Sequence, residues 1–124
     1  MSDTYAGRIV DWLDGDTVVL DVTAMIFDTP ITIMQHARLF GINAPEVHSA
    51  NRDEKARGLA AKAFAQSIAP PNSKVTVAAS PNGWHDKYGR LLVVLTLPGG
   101  KDYAKEAIAA KHALPWDGQG TKPV

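Results

Sequence analysis

The sequence predicts an α+β fold that is mainly β: a closed barrel of five short strands accompanied by two or three helices. Three observations predict it. Runs rich in β-branched and aromatic residues recur at short intervals between Gly, Pro and Asp turn signals. One long stretch, Asn51 to Ala69, abandons that alternation for apolar residues at three- and four-residue steps. The resulting order is three strands, a helix, two strands and a second helix, and a barrel of that order closes its own sheet edges within 124 residues.

Tyr5 to Leu13 supplies the first strand. Asp14-Gly15 follows as a hairpin signal, because Gly accepts the positive φ of tight turns, and Thr17 to Thr23 returns. Ala24 to Pro30 reads as a loop or ragged hairpin end, with its turn at Asp28-Thr29-Pro30; Ile31 to Phe40 is the third strand. Three strands with short connections make an antiparallel meander. The helix of Asn51 to Ala69 presents Ala56, Leu59, Ala60, Ala63, Phe64 and Ile68 as one stripe; Asn51 or Asp53 caps it and Pro70-Pro71 ends it. Lys74 to Ala79 and Leu91 to Leu97 are the last two strands, separated by a turn-rich loop at Pro81 to Gly89. After Gly99-Gly100, Asp102 to Leu114 reads as a helix with Tyr103, Ala104, Ala107, Ile108 and Ala110 inward. Five short strands with a helix between the third and fourth is the order of an OB-type barrel. The chain is expected to be one domain over 1–124, with 115–124 a loosely ordered tail, and a monomer.

There is no cysteine, which removes disulfides and thiolate metal sites. His36, His48, His85 and His112 form no pair at helical metal-ligand spacing, so zinc is not expected. Neither a signal peptide nor a membrane span is apparent, and a cytoplasmic location is the expectation. Thirteen basic and thirteen acidic residues cancel, which argues against holding nucleic acid by bulk charge. The charge is uneven, however: between Met1 and Asp28 there are six aspartates against Arg8 alone. An acidic patch meets a polyanion only across a bound cation.

Three polar clusters interrupt the apolar pattern: Asp14-Gly15-Asp16-Thr17, Arg38-Leu39-Phe40-Gly41-Ile42-Asn43-Ala44-Pro45-Glu46, and Asp86-Lys87-Tyr88-Gly89-Arg90. Each has an ordinary explanation. Asp-Gly between strands is usually a turn, an arginine in an apolar strand usually snorkels, and a polar turn needs no ligand. Turn chemistry does not require Asp16, though, and a carboxylate held by a strand suits a hard cation. The planar fork of arginine suits phosphate oxygens. An acidic turn, an arginine followed by a glutamate, and a second arginine suggest metal-assisted phosphodiester cleavage.

Taken together and in this order, the clusters resemble the staphylococcal (thermonuclease-type) nuclease family, from about Tyr5 to Leu114. The resemblance implies a five-stranded OB barrel and calcium-dependent hydrolysis of DNA and RNA with low sequence specificity. It implies that Asp16 ligates calcium with Asp14 supporting it, and that Arg38 and Arg90 hold the scissile phosphate. Glu46 matches the general base, and Lys87 and Tyr88 match contacts to a neighbouring phosphate. The expected partners are DNA or RNA, preferably single-stranded, and no membrane. Asn43 departs from the pattern, standing where the family commonly has a second calcium-binding aspartate; its amide oxygen can still coordinate, with one charge fewer. Ala44 replaces a common threonine, of which only the backbone carbonyl serves as a ligand. Lys111 falls where a glycine is usual, and the connection between the second and third strands is longer than in the secreted prototype. The alternative to an enzyme is a catalytically weak or inactive OB-type module that binds single strands; Asn43 and the zero net charge favour it, whereas Arg38, Glu46 and Arg90 favour the enzyme. Trp84 and His85 are candidates for base stacking, with packing the commoner explanation for Trp84, and Trp12 and Trp116 read as structural.

Overall fold

A computed structural model describes residues 4–117. Five strands close a barrel in the order β1-β2-β3-β6-β5: β1 (Thr4–Asp14), β2 (Thr17–Ile26), β3 (Thr29–Leu39), β5 (Lys74–Ala79) and β6 (Leu91–Thr96). All neighbours are antiparallel except β3 and β6, whose short parallel pairing at Ala37–Leu39 closes the ring. This is the expected mainly-β, OB-type α+β architecture. β4 (Ile42–Asn43) and β7 (Leu114–Pro115) add a small ribbon beside it. Ile9, Val18, Leu20, Leu39, Val77, Val93 and Leu95 fill the barrel, each pointing inward by the two-residue alternation of a strand.

α1 (Arg52–Ile68) begins where Asn51 accepts a hydrogen bond from Glu54 N–H, one of the first helical donors that otherwise has no partner. Its buried face differs from the expected stripe. Gly58, Ala61 and Ala65 turn inward with Phe64 and Ile68 half-buried beside them, while Ala56, Leu59, Ala60 and Ala63 face solvent. Alanines on every side of this helix leave the periodicity ambiguous, and close approach decides it. A Cβ on Gly58 would stand 2.6 Å from the Glu46 backbone, so only glycine lets the helix pack against that loop. At the far end, Trp12 is fully buried, stacks on Tyr103 at 4.5 Å and donates its indole N–H to Ala69 O. It thereby supplies a partner for a carbonyl at the helix C-terminus.

Two turns also depart from the sequence reading. Asp14 pairs with Thr17, so Gly15 and Asp16 are themselves the turn. Gly15 has no positive φ; it is required because a Cβ would lie 2.9 Å from the Ala61 methyl. Nor is 24–30 a loop. Ile26 pairs with Thr29, and the turn is Phe27-Asp28 in the left-handed region (φ 52° and 58°), a two-residue geometry whose twist suits a hairpin.

α2 (Tyr103–Ala109) is capped by Asp102 and is shorter than expected, with Ala110 exposed rather than inward. Lys111 ends it at φ 64°, with its N–H on Ile108 O and His112 N–H on Ala107 O, the paired bonds of a Schellman cap. A side chain in that conformation is strained. Lys111→Gly is expected to stabilise the fold by about 1 kcal/mol, read as a raised urea midpoint with unchanged slope.

Candidate active site

Asp16 ties together three segments of the chain. Its Oδ2 lies 3.0 Å from Arg38 Nη1 and accepts the Ala44 N–H at 2.8 Å; its Oδ1 accepts the Thr17 hydroxyl. Leu39 N–H donates to its backbone carbonyl. With Asp16 4% and Arg38 8% exposed, this is a buried ion pair rather than a surface one. Arg38 Nη2 also donates, at 3.3 Å each, to Ile42 O and Asn43 Oδ1. Oxygens from the β1–β2 turn and from β4 therefore converge on one guanidinium at the end of β3.

Asp14 does similar work one step away, accepting the Val47 N–H at 3.0 Å. Glu46 sits between these anchors. Pro45 precedes it, Val47 is held by Asp14, and Gly58 packs against its backbone. Its carboxylate is exposed and makes no hydrogen bond or ion pair with the described residues. The backbone is fixed and the side chain is left open to solvent.

Below the turn, the buried Tyr103 hydroxyl donates to Gly15 O at 2.6 Å. Burial raises its pKa above the ordinary tyrosine range, and the nearby Asp16 charge raises it further. It stays protonated, and so keeps donating, at any neutral pH.

The second half of the site is the 86–90 turn. Asp86 Oδ1 accepts the N–H groups of Tyr88 and Arg90, and its Oδ2 takes Arg90 Nε at 2.6 Å. Partial burial pushes the Asp86 pKa up, but these bonds, led by the Arg90 N–H, outweigh it, and the net shift is downward. The stability this contributes is present above the usual carboxylate range and is lost as pH falls through the depressed value. Arg90 is half exposed, and both it and Lys87 lie over the Tyr88 ring, at 5.4 and 5.3 Å.

Arg38, Arg90, Lys87, Tyr88 and Trp116 line one cleft of about 800 Å³. The structure thus brings four of the anticipated residues, Arg38, Lys87, Tyr88 and Arg90, onto one surface, and gathers Asp16, Asn43 and Ala44 directly behind Arg38. Glu46 is not among the lining residues of this cleft.

Trp116 was not anticipated here. Leu114–Pro115 pairs with Ile42–Asn43, Trp116 N–H donates to Gly41 O, and the Arg38 guanidinium lies over the indole at 5.4 Å. Of the expected loose tail, Pro115 and Trp116 make these contacts, and 118–124 lies outside the described residues. A tryptophan straight after a Pro, beyond a helix cap, was the available signal. Trp84, by contrast, is half-buried against the core with its ring 5.6 Å from Tyr5, which is packing.

Among the described residues no helix is long and apolar enough to cross a membrane. A family model described as staphylococcal nuclease homologue matches residues 36–114, a span that includes Arg38, Asn43, Ala44, Glu46, Lys87, Tyr88 and Arg90. No curated protein matches the chain.

Proposed function

The chain belongs to the staphylococcal nuclease homologue family, whose functions are of the nuclease or nucleic-acid-binding type, and we propose that it hydrolyses phosphodiester bonds in DNA or RNA with low sequence specificity. The observation that carries this reading is the pair of arginines, Arg38 and Arg90, on one cleft. In-line attack on a phosphodiester gathers negative charge on the equatorial oxygens, and fixed cations aimed there lower the barrier. Arg38 has five N–H donors, more than its contacts to Asp16, Ile42 and Asn43 use, so it can hold Asp16 and a phosphate together. Arg90 is oriented by Asp86 through Nε, which leaves its terminal nitrogens for the substrate. Glu46 does not line that cleft; its part as the base that takes the proton of the attacking water rests on its place in the family match and on an open carboxylate carried by a fixed backbone. Lys87 contacts a neighbouring phosphate, and the exposed ring of Tyr88 offers a stacking face that favours an unpaired strand.

Calcium, the general cofactor of the family, would be held by Asp16, the Asn43 side-chain oxygen and the Ala44 backbone carbonyl. These are the oxygen donors a hard cation takes. They supply a single negative charge, already paired with Arg38, and no three Asp, Glu, His or Cys side chains converge among the described residues. When bound, the ion adds positive charge at the phosphate. Affinity is expected to be low, and Asn43→Asp should tighten it by at least about tenfold. Titration calorimetry with calcium alone measures this without any cleavage assay; an unchanged affinity removes Asn43 from the metal site.

The second reading, a module that binds single strands without cutting, draws on the neutralised Asp16 and the zero net charge. An oligonucleotide cleavage assay on the purified protein separates the two.

A further inference from the structure

A second cleft, of about 290 Å³, opens between α1, the residues that follow α2 and the β4–β7 ribbon. It adjoins the cleft of Arg38 and Arg90 along that ribbon. Ile42 and Trp116 line the first cleft, and the next ribbon pair, Asn43 and Leu114, lines the second. Asn43 joins the two directly, because its Oδ1 accepts a hydrogen bond from Arg38 Nη2 while the residue itself lines the second cleft. A chain molecule that crosses the ribbon therefore leaves one cleft and enters the other.

Arg57, from the exposed side of α1, and Lys111, from the cap of α2, both line this second cleft. Neither side chain makes a hydrogen bond or ion pair among the described residues. Glu54 also lines the cleft, and the Ser49 hydroxyl donates to its carboxylate at 3.0 Å. Two cations against one carboxylate give the cleft a positive balance on a chain whose formal net charge is zero. Lys111 holds its place at a cost. At φ 64° it is strained where glycine would not be. Strain of this kind is kept where a side chain is used, and the side chain kept here brings a cation to the cleft.

Guanidinium and ammonium groups with spare donors suit phosphate oxygens. The volume stands at the lower end for small-ligand clefts, which matches one nucleotide rather than a longer segment. Ala60 and Leu114 give that nucleotide an apolar wall beside the cations. We propose that Arg57 and Lys111 form a further phosphate subsite, and that it takes a nucleotide of the same single strand whose phosphate lies against Arg38 and Arg90. The inference rests on a nucleic-acid strand occupying that first cleft, and it extends the contact across the ribbon. Substrates long enough to reach both clefts are then held more tightly than those that fill only one.

The test is fluorescence anisotropy of the full chain with a labelled thymidine dinucleotide and a labelled octanucleotide, with chelator present to suppress cleavage. The wild type is expected to hold the octanucleotide more tightly. The double variant Arg57→Gln, Lys111→Gly is expected to lose about tenfold in affinity for the octanucleotide and to keep its affinity for the dinucleotide. The slope of log affinity for the octanucleotide against log salt should fall by about 0.7 for each cation removed. Lys111→Gly alone should raise the urea midpoint and still weaken octanucleotide binding, a combination that a purely structural lysine does not produce. Equal losses for the two oligomers, no loss for either, or a wild type that holds both equally well overturns the proposal. A wild type that binds both oligomers but never cuts contradicts hydrolysis and leaves the subsite standing. One that binds neither contradicts the nucleic-acid reading, and the subsite with it.

Discussion

Arg38→Ala is expected to abolish cleavage and to destabilise the fold by about 3–5 kcal/mol. Both effects follow from one geometry. The guanidinium is the partner of an Asp16 carboxylate that is almost wholly out of water, 3.0 Å away. Truncating the arginine leaves that charge buried and uncompensated, and it also releases Ile42 O and Asn43 Oδ1. The β1–β2 turn, the end of β3 and β4 then lose the group that joins them. A loss of this size is a large share of the margin of a domain this small. Arg38→Lys keeps a charge and should recover part of the stability, but an ammonium cannot reproduce the planar fork, so cleavage should not return. Urea denaturation beside an oligonucleotide assay reads the two effects separately. A destabilisation under about 1 kcal/mol would mean that Asp16 is solvated in solution.

Arg90→Ala is expected to behave in the opposite way. Cleavage should fall by about 10²–10³-fold, the usual cost of removing one preorganised donor, while stability changes by less than about 1 kcal/mol. Arg90 is half exposed, and although it pairs with Asp86 at 2.6 Å, the turn keeps its shape through the backbone N–H groups of Tyr88 and Arg90, which alanine retains. The contrast between the arginines is thus a matter of burial. If Arg90→Ala were to unfold the protein as Arg38→Ala does, the 86–90 turn would be a structural element rather than a phosphate clamp.

The barrel was legible because alternation and turn signals coincide there: Lys74–Ala79 is a strand to the residue, and the five-strand order follows from short connections. What escaped the sequence depends on tertiary contact. The inward face of α1 was misread because its alanines carry no directional signal, and the face is chosen by the fit of Gly58 against Glu46. The end of the β2–β3 hairpin escaped because Phe27 and Asp28 both adopt positive φ, which non-glycine residues seldom do, so the turn had no local signature. At the site, the polar clusters were visible as sequence and their union on one cleft was not. That Asp16 is a knot of four contacts, and that Trp116 returns over Arg38, depends on strand pairings between distant segments.

The measurement closest to the centre of this account is cleavage of a single-stranded oligonucleotide by the purified protein, with calcium and with chelator, beside Glu46→Gln. Glutamine keeps the size of the side chain, and the Glu46 carboxylate makes no hydrogen bond or ion pair with the described residues, so the variant should fold normally. The expectation is cutting by the wild type with calcium, loss of cutting with chelator, and a rate lowered by about 10²–10⁴-fold in Glu46→Gln. No cutting over a broad range of calcium, or cutting that survives both the chelator and the Glu46 substitution, would contradict it.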